Sequence, residues 1–187
     1  ADSNAAMAIL VPHISAAVGA LTWMTVEWIK TGKPTVVGIA TGMVAGLATI
    51  TPASGTVGPQ GALLIGLLAG LVCFYATQMI KGYFKIDDSL DVFPVHGVGG
   101  ILGILMIAFL GKSDGFLGAG ASGFDPSVFD QFMIQLQGVV IICLWTLLFS
   151  WVALKVTSFI TPLRVDEESE HEGLDLTEHN ETGYHTS

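Results

Sequence analysis

Five long apolar stretches occupy most of this 187-residue sequence and constrain its fold more than any other feature. They cover residues 5–29, 35–50, 61–80, 92–111 and 132–157. A membrane-spanning helix needs roughly 20 mainly apolar residues, so all five stretches qualify or nearly qualify, the short and glycine-rich second one least clearly. Segments rich in glycine, proline and charged residues separate them. The pattern predicts an all-α transmembrane protein with five membrane-spanning helices.

The composition supports a chain whose surroundings are mostly lipid. Charged residues make up 12% of the sequence, whereas about 25% is typical of soluble domains. The net charge is −9, and eight of the sixteen acidic residues follow Leu163. The seven basic residues are scattered, which argues against a nucleic-acid-binding patch. We therefore predict a transmembrane helical region at 1–163 and an acidic tail at 164–187.

Sequence motifs for catalysis and for metal binding are absent. Cys73 and Cys143 lie in apolar runs, where a free thiol behaves as a small hydrophobic side chain. No Cys/His spacing typical of a metal or redox site occurs, and there is no nucleophile motif, phosphate-binding loop or dinucleotide fingerprint. We predict no catalytic residue, no metal, no cofactor and no enzymatic activity.

The basic residues predict the orientation of the spans. If the C-terminal tail is cytoplasmic, six of the seven basic residues lie at or near the inner face, and only Lys112 lies outside. The six are Lys30, Lys33, Lys81, Lys85, Lys155 and Arg164. This distribution satisfies the positive-inside rule, and the opposite topology would reverse it. The glycine-rich segment 111–127 is then predicted to lie outside.

Glycines recur every four residues in the second and third stretches. Gly38, Gly42 and Gly46 form one row, and Gly66 and Gly70 form another. Rows of small residues let helix backbones approach closely in a membrane. We therefore expect these two helices to pack inside a bundle.

A histidine lies inside the fourth stretch. Asp91 is a plausible N-cap for this helix, and Pro94 is tolerated in its first turn. His96 is then an ionisable residue within a span, and such residues usually face a bundle interior or a cavity. Its neighbours three, four and seven residues further on are Gly99, Gly100 and Gly103. Either another helix or a small permeant molecule could approach the imidazole, and a histidine hydrogen-bonded within the core is the alternative. His13 is interpreted as structural or interfacial.

Four blocks of sequence point to a known family. They are EWIKTGKP at 27–34, GLATITPASG at 46–55, DDSLDVFPVHG at 87–97, and LRVDEE at 163–168 followed by EGLD at 172–175. In this order and spacing they resemble the C-terminal half of the ammonium transporter (Amt/MEP/Rh) family, of the bacterial Amt type. The resemblance covers nearly the whole chain.

This resemblance implies an architecture. The family fold has eleven helices, the first ten forming two inverted five-helix repeats around a narrow pore, and three subunits form a trimer. The chain is similar to helices seven to eleven and the cytoplasmic tail, so we expect an N-terminal half to be missing from it. The implied location is the cell membrane, with several passes and a cytoplasmic C-terminus.

The resemblance also implies pore residues. His96 matches the second of the family's two pore histidines, which handle deprotonated ammonia and its proton, and the implied substrate is ammonium or ammonia. Val92 matches a position that lines the inner pore, and Val44 is a further candidate. If the span begins at Asp91, His96 is only about 8 Å along its axis, although the family places this histidine near mid-pore. A cytoplasmic vestibule lined by Asp88 and Asp91 would reconcile the two.

The acidic tail resembles the regulatory C-terminus of the family. The matching residues are Glu172, Gly173, Leu174 and Asp175. In bacterial and archaeal members a PII-type signalling protein docks on that side of the membrane, which makes such a protein the implied partner. A disordered, solvated tail is the alternative interpretation of the same charges.

Two other functions remain open at the level of sequence. An ammonium sensor would use the same pore to report occupancy to a cytoplasmic partner. A channel of the Rh type would conduct neutral ammonia or carbon dioxide. The tail resembles the bacterial pattern, which favours transport of ammonium or ammonia over the Rh-type alternative.

Overall fold

A computed structural model describes residues 2–111 and 128–182. These residues contain five helices long and apolar enough to cross a membrane, and no strand is found among them. The five spans are Ser3–Thr31, Val36–Ala53, Pro59–Tyr83, Phe93–Leu110 and Val128–Ile160. The predicted all-α class and the five predicted spans are therefore confirmed. Residues 112–127 of the segment predicted to lie outside, Lys112 among them, fall beyond the described residues.

The first two spans form an antiparallel pair joined by a short turn. Helix α1 runs from Ser3 to Thr31, and α2 runs over Val36–Ile50 and ends in the 3₁₀ turn Thr51–Ala53. Gly32 follows α1 with a φ of 83°, in the left-handed region that glycine adopts without strain. The Thr35 hydroxyl then accepts a hydrogen bond from Gly38 N at 2.9 Å and thereby caps α2.

The third and fourth spans each contain a π-helical segment. Helix α3 covers Pro59–Gln78 and continues as a π-helix over Met79–Tyr83. The fourth span begins as a π-helix over Phe93–Val98 and continues as α4, Gly99–Leu110. A π-helix hydrogen-bonds to the fifth residue instead of the fourth, is rare, and occurs frequently at functional sites. The two segments follow one another closely in the chain.

Close approach between α1 and its neighbours depends on glycine. A Cβ on Gly19 would lie 2.5 Å from the carbonyl oxygen of Gly42, and one on Gly66 would lie 2.6 Å from the carbonyl oxygen of Ser15. The buried hydroxyl of Ser15 also donates a hydrogen bond of 2.9 Å to the carbonyl oxygen of Gly46. The predicted packing role of the glycine rows is thus confirmed for the contacts of α2 and α3 with α1.

Two apolar clusters fill the space between the helices. The first contains Val11, Ile50, Ala53, Val57, Ala62, Ile65 and Leu110. The second contains Trp23, Ala45, Cys73, Phe74 and Val95, with the rings of Trp23 and Phe74 packed edge to face at 5.3 Å. Val95, the residue before His96, is therefore held in the core.

The described chain divides into two compact units, Ala1–Val140 and Ile141–Ser187. Helix α5, Val128–Ile160, contributes to both. The second unit also contains the short helices α6, Glu167–Glu172, and α7, Leu174–Thr177. The division into a membrane region at 1–163 and a tail at 164–187 stays a prediction.

Candidate pore face around His96

His96 lies on an open side of the fourth span. It is exposed within the π-helical segment, and Val92, four residues earlier, is 54% exposed. Val95 is only 2% exposed and packs into the second apolar cluster. The His96 imidazole makes no hydrogen bond within residues 2–111 and 128–182. The span thus has a buried side that contains Val95 and an open side that carries Val92 and His96.

The three glycines after His96 do not share one environment. A Cβ on Gly99 would lie 2.8 Å from Thr49 Oγ1, and one on Gly103 would clash with the Thr49 carbonyl oxygen. A Cβ on Gly100 would meet no atom within 4 Å. Two of the glycines therefore admit the neighbouring helix α2, whereas Gly100 borders open space. In an α-helix, residues i, i+3 and i+7 share a face, but the π turn changes the phase between His96 and Gly99.

Asp88 caps the helix that carries His96. Its Oδ1 accepts a hydrogen bond of 2.9 Å from Val92 N, and its Oδ2 accepts one of 2.9 Å from Phe93 N. Free N–H groups at a helix start need such partners, and a carboxylate also suits the positive end of the helix dipole. Asp88, predicted as a vestibule residue, is thus engaged by the backbone.

The predicted capping role of Asp91 is wrong for its side chain. Its backbone carbonyl accepts a hydrogen bond of 3.0 Å from Val95 N, but its φ of 56° differs from the extended conformation usual at an N-cap. Oδ1 of Asp91 lies 2.7 Å from Lys81 Nζ, without a well-aligned hydrogen bond, and the carboxylate side chain is only 15% exposed. Asp91 is therefore the partner of Lys81, which lies in the π-helical segment Met79–Tyr83, and Asp88 is the cap.

Val44 lies on α2, away from the contacts that this helix makes with α1 and α4. It is 37% exposed, and at about 100° per residue it lies roughly opposite Gly42, which packs on α1. Contact between α2 and α4 runs through Thr49 instead. The structure thus brings Val92 and His96 onto one helix side, whereas Val44 is a half-exposed residue of a different helix.

His13 has a different environment from His96. Its Nδ1 lies 2.9 Å from the carbonyl oxygen of Ile9, one turn earlier in α1. A histidine that donates to its own helix backbone satisfies part of its hydrogen-bonding capacity locally. This contact agrees with the predicted structural or interfacial role. Among the described residues, the side chain of His13 therefore has a local hydrogen-bond partner and that of His96 has none.

Comparison with known proteins identifies the family. The family model of the Ammonium Transporter Family matches residues 1–184. The chain belongs to this family. As a member of a transporter family with five apolar helices among its described residues, it is a multi-pass membrane protein.

Similar proteins come from bacteria and archaea. An ammonium transporter of Aquifex aeolicus is 39% identical over 184 residues, which cover 98% of this chain and 43% of that protein. An ammonium transporter of Bacillus subtilis is 38% identical over 188 residues, covering 100% of this chain and 46% of that protein. A putative ammonium transporter of Methanothermobacter thermautotrophicus is 38% identical over 184 residues, covering 98% and 45%. The chain thus spans less than half the length of these curated relatives.

Solved structures of the family share the fold. A protein described as a Sensor Amt Protein matches with a TM-score of 0.84 and 28% identity, covering 95% of this chain and 43% of that chain. Saccharomyces cerevisiae Mep2 matches with a TM-score of 0.74 and 32% identity, covering 86% and 39%. Both likenesses extend over most of the five helices described above.

The tail of this family member contains ordered local structure. The Asp166 carboxylate accepts a hydrogen bond of 2.8 Å from Ser169 N and caps α6, and Arg164 forms an ion pair of 2.9 Å with Glu170. Gly173, with a φ of 107°, separates α6 from α7. The four predicted tail residues therefore span the junction of the two short helices: Glu172, Gly173, Leu174 and Asp175.

Sequence reasoning missed two features of the structure. Glu27 Oε2 accepts from Thr35 N at 3.0 Å and Oε1 accepts from the Thr35 hydroxyl at 2.9 Å, which ties α1 to the start of α2. A carboxylate eight residues before a Thr N-cap, across a glycine turn, is a signal that could have suggested this contact. No comparable signal in the sequence indicated the π-helical segments.

Among the described residues, no group of three or more His, Cys, Asp or Glu could hold a metal.

Proposed function

We propose that this chain forms the C-terminal, pore-lining part of an ammonium transporter that separates a proton from ammonium and conducts ammonia past His96. One observation carries the proposal: His96 is exposed on the open side of a membrane-spanning helix whose other side is packed in the core. An ionisable residue within a span normally faces a cavity or the interior of a bundle. Membership of the ammonium transporter family supplies the substrate.

The chemistry of such a face suits ammonia better than a cation. An ammonium ion in a narrow apolar passage carries a heavy desolvation cost, whereas neutral ammonia carries far less. A neutral imidazole both donates and accepts hydrogen bonds, so His96 can bind ammonia without adding a fixed charge. Val92, on the same side, keeps the adjacent wall apolar. Potassium has no proton to release and is therefore refused.

Three further residues extend the proposed passage. Val44 belongs to the exposed side of α2 and serves as an apolar lining residue, while Asp88 and Asp91 border the cytoplasmic vestibule. Both carboxylates lie directly before the His96 segment, where an ammonium ion re-formed on the cytoplasmic side would leave. The ion pair of Asp91 and the capping bonds of Asp88 leave little free negative charge to retain that ion.

The proposal includes an orientation and an assembly. The protein lies in the cell membrane with a cytoplasmic C-terminus, as the distribution of its basic residues favours. It forms a homotrimer, as its resemblance to the family implies. The segment 172–175 is the regulatory part of the tail, at which a PII-type protein docks. Support for an ordered recognition segment comes from the two short helices that meet there.

An ammonium sensor is the second candidate function. The observation that favours it is the similarity to the Sensor Amt Protein, with a TM-score of 0.84 over 95% of this chain. A sensor would bind ammonium on the same face and transmit occupancy to a cytoplasmic partner. It would retain binding without sustained flux, and this difference separates the two candidates.

Uptake of methylammonium in cells that lack their own ammonium transporters tests the proposal. The full-length protein should support uptake, and His96→Ala should abolish it or remove discrimination against potassium, with the assembled protein unchanged in amount. His13→Ala is the matched control, because His13 is also within a span but donates to its own helix. Its uptake should equal that of the unmodified protein.

Three outcomes would contradict the proposal or redirect it. Unchanged uptake and selectivity in His96→Ala would refute the pore role of this residue. A well-inserted full-length protein that binds ammonium without uptake would favour the sensor. Uptake of methylammonium without current would indicate that the separated proton does not cross the membrane, as in the Rh-type alternative.

A further inference from the structure

An ion pair joins Lys81, in the π-helical segment at the end of α3, to Asp91, which lies just before the fourth span. We propose that this pair is a positioning device that fixes the segment carrying His96 against α3 and thereby sets the rate of conduction past the imidazole. The role of His96 itself rests on the proposed function, whereas the positioning of the segment does not. In this proposal the pair affects conduction through the position of His96.

The geometry of the pair is close and partly shielded. Lys81 Nζ lies 2.7 Å from Asp91 Oδ1, and the two side chains are 40% and 15% exposed. Lys81 lies in the π-helical segment Met79–Tyr83 at the end of α3. Asp91 lies immediately before the helical residues that lead to His96. The contact therefore ties the end of one span to the beginning of the next.

The backbone of Asp91 transmits this contact to His96. Its carbonyl oxygen accepts a hydrogen bond of 3.0 Å from the N–H of Val95, the residue before His96. Val95 is 2% exposed and packs with Cys73 and Phe74 of α3. A displacement of Asp91 would therefore break the first hydrogen bond of the segment and shift the buried residue next to the imidazole.

Asp91 forms this pair from a left-handed backbone conformation. With a φ of 56°, Asp91 occupies the left-handed region, which non-glycine residues adopt at a cost in free energy. Such conformations persist where surrounding contacts over-determine them, and they concentrate at functional sites. Loss of Lys81 would leave a largely buried carboxylate without its cation, which is more damaging than loss of an exposed pair.

Asp88 does not duplicate this function. Its carboxylate accepts hydrogen bonds from the N–H groups of Val92 and Phe93, at the start of the fourth span. Those bonds stabilise the helix start itself but include no atom of α3. The Lys81–Asp91 contact is an interaction of a different kind, since it joins the segment to the preceding span.

Four variants of the full-length protein test the proposal. Lys81→Met removes the cation, and Asp91→Asn removes the charge while retaining a residue that tolerates positive φ. Lys81→Arg keeps the pair and should rescue. Lys85→Met is the matched control, because Lys85 is four residues away, is exposed and makes no ion pair among the residues that the structure describes.

Two measurements are made on each variant. Hydrogen exchange of the segment 92–98 reports its positioning without any need for transport. Methylammonium uptake, normalised to the amount of assembled protein, reports the consequence for conduction. We expect Lys81→Met and Asp91→Asn to accelerate exchange by about fivefold or more and to lower the maximal uptake rate, with the half-saturating concentration unchanged. Lys81→Arg and Lys85→Met should match the unmodified protein in both measurements.

Each of the remaining outcomes would contradict one part of the proposal. Unchanged exchange in Lys81→Met and Asp91→Asn would refute the positioning role. Faster exchange with an unchanged uptake rate would refute the link to conduction. If the unmodified protein takes up no methylammonium, the proposed function fails, and the exchange data still decide whether the pair positions the segment.

Discussion

Gly103 of α4 packs directly against the backbone carbonyl of Thr49 in α2, with no room for a methyl group between them. This contact fixes the distance between the helix that carries His96 and its neighbour. Gly103→Ala should therefore force the two helices apart and destabilise the protein by about 1–3 kcal/mol. Thermal unfolding of the detergent-solubilised full-length protein measures this change.

Gly100 provides the matched control, since a Cβ at this position would meet no atom within 4 Å. Gly100→Ala should leave the unfolding temperature unchanged or raise it slightly, because alanine lowers the entropy of the unfolded chain relative to glycine. Equal losses of stability for the two variants would contradict the packing described for α2 and α4.

Removal of the Asp88 carboxylate should loosen the start of the fourth span. Asp88→Ala deprives Val92 and Phe93 of their hydrogen-bond acceptors and should cost about 1 kcal/mol of stability. Asp87→Ala is the control, because Asp87 only accepts a weak hydrogen bond of 3.3 Å from the Ser89 hydroxyl. Urea-induced unfolding that is equally sensitive to both substitutions would argue against the capping role of Asp88.

The buried hydrogen bond from Ser15 to the carbonyl oxygen of Gly46 should contribute measurably to the pairing of α1 and α2. Interhelical hydrogen bonds in membranes average about 0.6 kcal/mol and reach about 1.7 kcal/mol. Ser15→Ala should lower the stability within that range. Thr25→Ala should change it less, because the exposed Thr25 hydroxyl donates only within its own helix, to Leu21. Both hydroxyls lie on α1, so the two variants differ in whether the lost hydrogen bond joins two helices or lies within one.

Acidification should uncap α6. The hydrogen bond from Ser169 N, together with one from the Ser169 hydroxyl, lowers the pKa of Asp166 below 3.8. The stabilisation from the ionised cap is therefore complete above pH 3.8 and is lost as the pH falls through the lowered pKa. The amide NMR signal of Ser169 in labelled protein should shift over that window. In Asp166→Asn, which caps without titrating, the shift should be smaller.

Much of the fold could be predicted because hydropathy alone determines where the chain crosses a membrane. The weak second stretch is extended to 18 residues by the 3₁₀ turn Thr51–Ala53, which explains why the sequence pattern seemed short. The first span begins earlier than predicted because the Asp2 carboxylate caps it through Ala5 N. Such boundary details depend on individual hydrogen bonds, and hydropathy carries no information about them.

The sequence is sufficient to single out His96 as the candidate pore residue, whereas the roles of the residues around it are harder to infer. An ionisable residue in an apolar span and a series of family-like blocks both pointed to His96. The roles of Asp88 and Asp91 were harder to assign, because both are aspartates close to the start of the same helix and either side chain is able to cap it. Only the backbone conformation distinguishes the cap from the partner of Lys81.

Because His96 lies in the π-helical segment Phe93–Val98, the side of the helix that its side chain occupies depends on the number of residues in that segment. A π turn contains one residue more than an α turn, so deletion of Gly97 would allow ordinary α geometry. The helical residues before the deletion would then rotate by about 100° about the helix axis, relative to the glycines through which α4 packs against α2. The side chains of Val92 and His96 would leave their present side together. A single-codon loss could thus redirect this face without altering any of the side chains on it.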